Sequence, residues 1–445
     1  MIWRMIQDVR MPGLLLAVLL AGSNALASEQ VKVNVALAKP VLLAGQKQTN
    51  YVRVGLTGLR INGAERRTPV NLAIVLDKSG SMSGDKLRKA KDAAIASIDR
   101  LGSDDIVSVV AYDHTVEVLV PATKVSDRAV IRAAIERLTA GGNTALFAGV
   151  SKGAAEVRKF LDRQRVNRII LLSDGQANAG PSSPADLGDL GASLIKEGIS
   201  VTTLGLGLDY NEDLMTQLAR RSDGNNYFIE KSSDLESKFA FEFNDVMSVV
   251  AQEVTVRITC RPGVRPIRVL GRQADITGQT VTTYLNQVYG EQEKYVLLEV
   301  EVPGGNDGTN RALADVTVSY LNLATNAADR ITRIASNRFT KSPALVESST
   351  NRAVMASAIE QIGVEKNQLA VSLRDQGRIE EARRVLMANA AFLAENAARY
   401  ESKELESFSS VQQESAGKLD AEQWNGMRKS MQNDNNARQS QQGSR

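Results

Sequence analysis

Leu72-Ala73-Ile74-Val75-Leu76-Asp77-Lys78-Ser79-Gly80-Ser81 joins five consecutive apolar residues to a short polar turn. A continuous apolar run of this length reads as a strand buried on both faces, as in the middle of a parallel sheet. The turn that follows offers one carboxylate and two hydroxyls at alternate positions, and Gly80 lets the chain fold tightly around whatever they hold. Hard oxygen ligands gathered this way suit a hard divalent cation, Mg²⁺ before any other.

Working outward, the chain alternates strand and helix from about residue 70 to 247. Lys86 to Leu101 carries Leu87, Ala90, Ala94, Ile95 and Ile98 at helical spacing. Ile106 to Tyr112 and Thr115 to Val120 read as a hairpin around Asp113-His114, and Arg168 to Ser173 is a second fully buried strand. Such alternation predicts an α/β fold: a doubly wound, mostly parallel sheet with helices on both faces.

Both flanks change period. Val31 to Leu37 and Tyr51 to Thr57 before the α/β unit, and Val254–Cys260, Ile267–Leu270, Tyr295–Val302 and Ala314–Leu321 after it, alternate apolar and polar residues as half-exposed strands do. The economical expectation is one β-sandwich built from both flanks, with the α/β unit inserted in it. Residues 344–376 and 379–402 read as two helices broken at Gly377. The last stretch is rich in Gln, Asn and Ser and reads as disordered. At the start, Arg4 and Arg10, the apolar run Leu14–Ala21 and Ala25-Leu26-Ala27 form an export pattern cleaved near Ala27, which places the mature chain in the periplasm or outside the cell. The expected divisions are 1–27 signal peptide, 28–66 first sandwich strands, 67–248 α/β domain, 249–342 remaining sandwich, 343–404 helical hairpin and 405–445 polar disordered tail.

In an open α/β sheet, ligands bind outside the carboxyl ends of the strands. Three polar segments compete for that edge: Asp77-Lys78-Ser79-Gly80-Ser81, Gly141-Gly142-Asn143-Thr144 and Ser173-Asp174-Gly175. Asp-x-Ser-x-Ser, a later Thr in a Gly-rich turn and a later Asp before Gly resemble the metal-ion-dependent adhesion site of von Willebrand factor A domains, over about residues 68–247. The resemblance implies a divalent-cation site of Asp77, Ser79, Ser81, Thr144 and Asp174. It further implies that the serines and threonine meet the ion directly or through water, the two aspartates mainly through water and hydrogen bonds, and that an acidic side chain of a protein partner completes the coordination. Gly205-Leu206-Gly207 followed by Tyr210-Asn211-Glu212-Asp213-Leu214-Met215 is similar to bacterial proteins related to calcium-activated chloride channel regulators, and the inserted layout resembles inter-alpha-trypsin inhibitor heavy chains.

The chain is thus expected to be an exported, non-enzymatic protein-binding or adhesion module using Mg²⁺, with Mn²⁺ or Ca²⁺ as alternatives. Two other readings stay open: a Mg²⁺-dependent hydrolase of phosphate or ester substrates, and an assembly scaffold in which the metal is structural. A formal net charge of +3 over 445 residues, interspersed charges and 4% aromatics argue against nucleic-acid binding. No segment after the export pattern is long and apolar enough to span a membrane. With one histidine, His114, multi-histidine zinc sites are excluded. His114 beside Asp113 reads as a solvated turn, and Cys260, on the apolar face of its strand, as a buried inert thiol.

Overall fold

The computed structural model describes residues 29–60 and 67–442. The expected signal peptide and the stretch 61–66 lie outside the described residues. β1 (Val31–Leu37), β2 (Val41–Leu43) and β3 (Gln48–Gly58) open the fold. The alternating region is β4 (Val70–Asp77), α1 (Asp85–Ile98), β5 (Ile106–Tyr112), β6 (Val116–Lys124), α2 (Arg128–Glu136), α3 (Leu146–Arg158), β7 (Val166–Ser173), α4 (Pro184–Lys196), β8 (Ile199–Leu206), α5 (Glu212–Arg221), β9 (Asn226–Ile229) and α6 (Leu235–Met247). Strands resume with β10 (Val249–Cys260), β11 (Arg265–Leu270), β12 (Asp275–Thr277), β13 (Thr280–Tyr289), β14 (Glu293–Val302), β15 (Asn310–Asn322) and β16 (Ala327–Thr340). Five helices follow: α7 (Pro343–Ser349), α8 (Arg352–Asp375), α9 (Ile379–Tyr400), α10 (Lys403–Gly417) and α11 (Ala421–Ser440).

The α/β sheet has the order β6-β5-β4-β7-β8-β9 and is parallel except for β6. β4, β5, β7 and β8 are buried along their whole length, which is why their sequences are mostly apolar on both faces, the few polar side chains such as Asn71, Arg168 and Thr202 being hydrogen-bonded in the interior. One face packs on α1, α2 and α6 through Leu72, Ile74 and Phe239, among others. The other packs on α3, α4 and α5 through Ala73, Val75 and Val150. Register does the rest: Leu76 stands beside Leu172, so Asp77 and the Ser173-Asp174 turn leave the sheet side by side.

The two flanks form the expected sandwich. A four-stranded sheet, β1-β3-β14-β11, faces a six-stranded sheet, β12-β13-β10-β15-β16-β2. Val31, Val52, Val54 and Leu56 of the first meet Val254, Val256, Ile258 and Val316 of the second. Cys260 is buried in this core, and burial pushes its thiol up to about 11. The α/β unit is inserted between β3 of one sheet and β10 of the other. Its two ends meet where the Thr68 hydroxyl donates to the Val249 carbonyl at 3.2 Å.

The C-terminal region departs from expectation twice. The stretch 344–376 is two helices, because the Asn351 side chain accepts from the Val354 N–H and caps α8. The polar tail is not disordered: it forms α10 and α11, which are joined by a short break at residues 418–420. Most of their sparse apolar residues are used: Leu405 and Phe408 pack on α8, α9 and the four-stranded sheet, and Ala416, Leu419 and Met431 pack on α8 and α9. Their amides bond between helices. Asn367 donates to Asn435 at 3.0 Å, and Asn389 donates to Gln412 at 3.0 Å. A polar composition here marks a hydrogen-bonded interface, not a solvated chain.

Candidate functional site

β4 ends in Asp77, whose side chain is fully buried. One carboxylate oxygen accepts the Ser79 N–H at 2.8 Å, closing the turn, and the other accepts the Ser173 hydroxyl at 2.6 Å. Burial raises the Asp77 carboxyl above its ordinary range; the bonds from Ser173 and Ser79 oppose this, and the Asp174 charge adds to it. A 3₁₀ turn over Gly80–Met82 then brings Ser81 back beside Ser79, with the two hydroxyl oxygens 3.1 Å apart. The Ser81 hydroxyl donates to Asp174 at 2.6 Å.

The glycine loop is tied to the first turn. Gly80 N–H donates to the Gly142 carbonyl at 3.0 Å, and Gly141 N–H to the Lys78 carbonyl at 2.8 Å. Gly142 has φ +79°, and a side chain there would run into His114 Nδ1, so glycine is required twice over. Thr144 is fixed by Asn178, whose side chain accepts the Thr144 N–H at 2.8 Å while its own N–H donates to the Thr144 carbonyl at 3.1 Å.

These turns leave a cradle beside Gly175. The point where a Cβ on Gly175 would sit lies 3.0 Å from Thr144 Oγ1, 3.3 Å from Ser81 Oγ and 3.7 Å from Ser79 Oγ. Three hydroxyl oxygens from two loops thus converge on one spot, with the buried carboxylates of Asp77 and Asp174 behind them. The cradle opens into a cavity of about 340 Å³ also lined by Asn143, Gln176 and Asp209. All five residues expected at the site are brought together. Among the described residues no cluster of three or more His, Cys, Asp and Glu is suited to a metal, so a cation here depends on hydroxyl oxygens, and this donor set fits a hard divalent ion.

Four participants escape sequence reasoning. Ser173 holds Asp77. Lys86, in the first turn of α1, places its ammonium 2.5 Å from Asp174 Oδ2. Asn178 holds Thr144, and Asp209 comes from the β8–α5 loop. Only Ser173, adjacent to Asp174, carried a local signal. The Asp113-His114 turn sits at the rim: His114 is exposed, while Asp113 takes the Lys78 ammonium at 2.6 Å and the Thr115 N–H at 2.7 Å. Those bonds outweigh burial and hold the Asp113 carboxyl down at about 2.

A doubly wound sheet with a hydroxyl-lined cradle at its carboxyl edge defines the class. Residues 71–240 match the von Willebrand factor type A domain, and the chain carries one such domain. A Synechocystis protein, sll0103, of uncharacterised function, is 33% identical over 246 residues, covering 53% of this chain and 58% of that protein. Inter-alpha-trypsin inhibitor heavy chain H2 of Mus musculus is 29% identical over 195 residues, covering 42% of this chain and 20% of the heavy chain. The matched segments therefore span less than two thirds of these relatives. A solved von Willebrand factor type A protein from Catenulispora acidiphila shares the fold beyond the single domain. It has a TM-score of 0.68 and 20% identity, and covers 84% of this chain and 89% of its own.

Proposed function

We propose that the chain is an exported, non-enzymatic protein-binding module whose cradle takes a divalent cation, Mg²⁺ first, and through it a carboxylate of a partner protein. The convergence of the Ser79, Ser81 and Thr144 hydroxyls beside Gly175 carries this reading. Neutral hydroxyls fix an ion without cancelling its charge, so a bound cation supplies attraction for an external carboxylate. Asp77 and Asp174 stand one layer back, orienting Ser79 and Ser81 and offering oxygens to bound water. Among the described residues no helix is long and apolar enough to cross a membrane.

The test is calorimetric titration of the purified chain with Mg²⁺, Mn²⁺ and Ca²⁺, beside Asp77→Ala and Thr144→Ala. Saturable binding by the wild type and a loss of at least tenfold in both variants are expected. Unchanged affinity in both would refute the site. Capture of a partner from an envelope extract, abolished by chelator and by Asp77→Ala, then tests the carboxylate bridge.

A further inference from the structure

A second cavity, about 1200 Å³, lies where the three layers meet. Its walls are the C-terminal ends of α4 and α5, strands β10, β11 and β13 of the sandwich, and α8 and α11 of the helical region. It is remote from the cradle, since the ends of α4 and α5 lie at the opposite edge of the sheet.

The wall is prepared for acceptors. Arg221 Nε, Arg272 Nε and Asn436 Nδ2 are buried N–H donors with no hydrogen-bond partner, and the Asn436 Oδ1 acceptor beside them is likewise unmet; all three residues line this cavity. Asn436 is only 2% exposed. Leaving buried donors unmet is costly, so the gathering of three of them against one acceptor around one space points to a ligand that chiefly accepts from them.

The charge balance gives its sign. Each acid on the wall is already held: Glu197 by Arg158, Glu253 by Arg163, Asp223 by Arg272 and Glu365 by Arg268. Lys196 and Arg220 line the same space, and among the described residues neither has an acidic partner. Arg220 finds only the Gln217 side-chain oxygen, at 3.3 Å. Val269 and the exposed ring of Tyr284 supply an apolar surface beside these cations.

We infer that this junction is a binding site for a small organic anion, a carboxylate or phosphate on an apolar body, held by Lys196 and Arg220 with its acceptor atoms on the orphaned donors of Arg221, Arg272 and Asn436. The site touches all three layers, so occupancy ties the helical region to the sandwich and the α/β domain.

The experiment is titration of the full chain with phenyl phosphate, benzoate and the neutral benzamide, followed by ligand-observed NMR. Saturable binding of phenyl phosphate or benzoate, at least tenfold tighter than benzamide, is expected; which of the two binds distinguishes phosphate from carboxylate ligands. A Lys196→Gln/Arg220→Gln double variant, both side chains reaching solvent and so compatible with folding, should lose at least tenfold with an unchanged circular dichroism spectrum. Asp77→Ala should bind as the wild type does. Slower hydrogen exchange at residues 220–224 and 436–440 on adding the ligand supports the location. No saturable binding, equal binding of the three probes, or equal affinity in the double variant overturns the inference.

Discussion

Gly175 carries more of the candidate site than its lack of a side chain suggests. It follows Asp174 directly, and the space its missing Cβ leaves is the space the three hydroxyls face. Its backbone is not in the left-handed region, so alanine is tolerated by the chain but not by the cradle. Gly175→Ala is expected to leave the melting temperature nearly unchanged and to weaken divalent-cation binding at least tenfold, about 1.4 kcal/mol, measured by calorimetry. Lys86 works the other way. Its ammonium already neutralises Asp174 and repels a second cation, so Lys86→Gln should tighten Mg²⁺ binding in the same assay. Asp77, Ser79 and Ser81 were legible because they share one turn and their spacing is local. Thr144 and Asp174 stand in glycine-marked segments, and the resemblance to the adhesion-site motif is what joined them to the first turn. Lys86, Asn178 and Asp209 were not legible, since each reaches the site through a tertiary fold that no local pattern encodes.

At the scale of elements, α11 is the clearest case of structure hidden by composition. It lies against α5 and the edge strand β9. Asn433 and Gln442 side chains accept the otherwise free N–H groups of Phe228 and Asn226 at 2.9 and 3.4 Å, closing an edge that would template aggregation. Asn425 donates to the Leu208 carbonyl at 3.0 Å and Lys429 to the Tyr210 carbonyl at 2.7 Å, so the helix grips the β8–α5 loop on both sides of Asp209. Arg428 binds Glu212, Asp213 and Asp375 at once. Arg428→Ala leaves Asp213 and Asp375 without their cation and Glu212 with Lys429 alone, and is expected to cost about 2–3 kcal/mol in urea unfolding, with faster hydrogen exchange over residues 208–214. Sequence reasoning relied on apolar periodicity, and α11 has little. β13 and β16 were obscured for related reasons: Thr283 and Gln287 occupy buried positions of β13, and β16 turns most of its residues to water. The strands β4 and β7 were plain because burial on both faces leaves no room for ambiguity.

Across the whole molecule, the α/β domain and the sandwich are joined by a buried polar seam. Arg168 of β7, with no exposed surface, reaches Gln287 at 2.6 Å and the Tyr289 hydroxyl at 2.7 Å on β13, and stands 3.5 Å from Glu242 of α6. Asp245, one turn along α6, accepts from Gln292 at 2.6 Å. Burial, with the Glu242 charge beside it, raises its carboxyl to about 6, against the opposing pull of Arg168 and Lys294. A carboxyl raised on folding contributes stability that is fully present below its unfolded value near 3.8 and is lost as pH rises through about 6. Asp245→Asn, which keeps the acceptor, should therefore be more stable than wild type at pH 8 by about 3 kcal/mol, the gap closing below about pH 4, read from denaturant melts across that range. The insertion itself sets the two flanks of the sandwich far apart in the chain. β3 pairs with β14, but the whole α/β domain separates the flanks in the chain, and bringing distant segments together costs closure entropy before any contact rewards it. Thr68 and Val249, 181 positions apart, touch once the α/β domain is formed. That domain thus acts as an intramolecular clasp, presenting the two halves of the sandwich to each other at the distance of a tight turn.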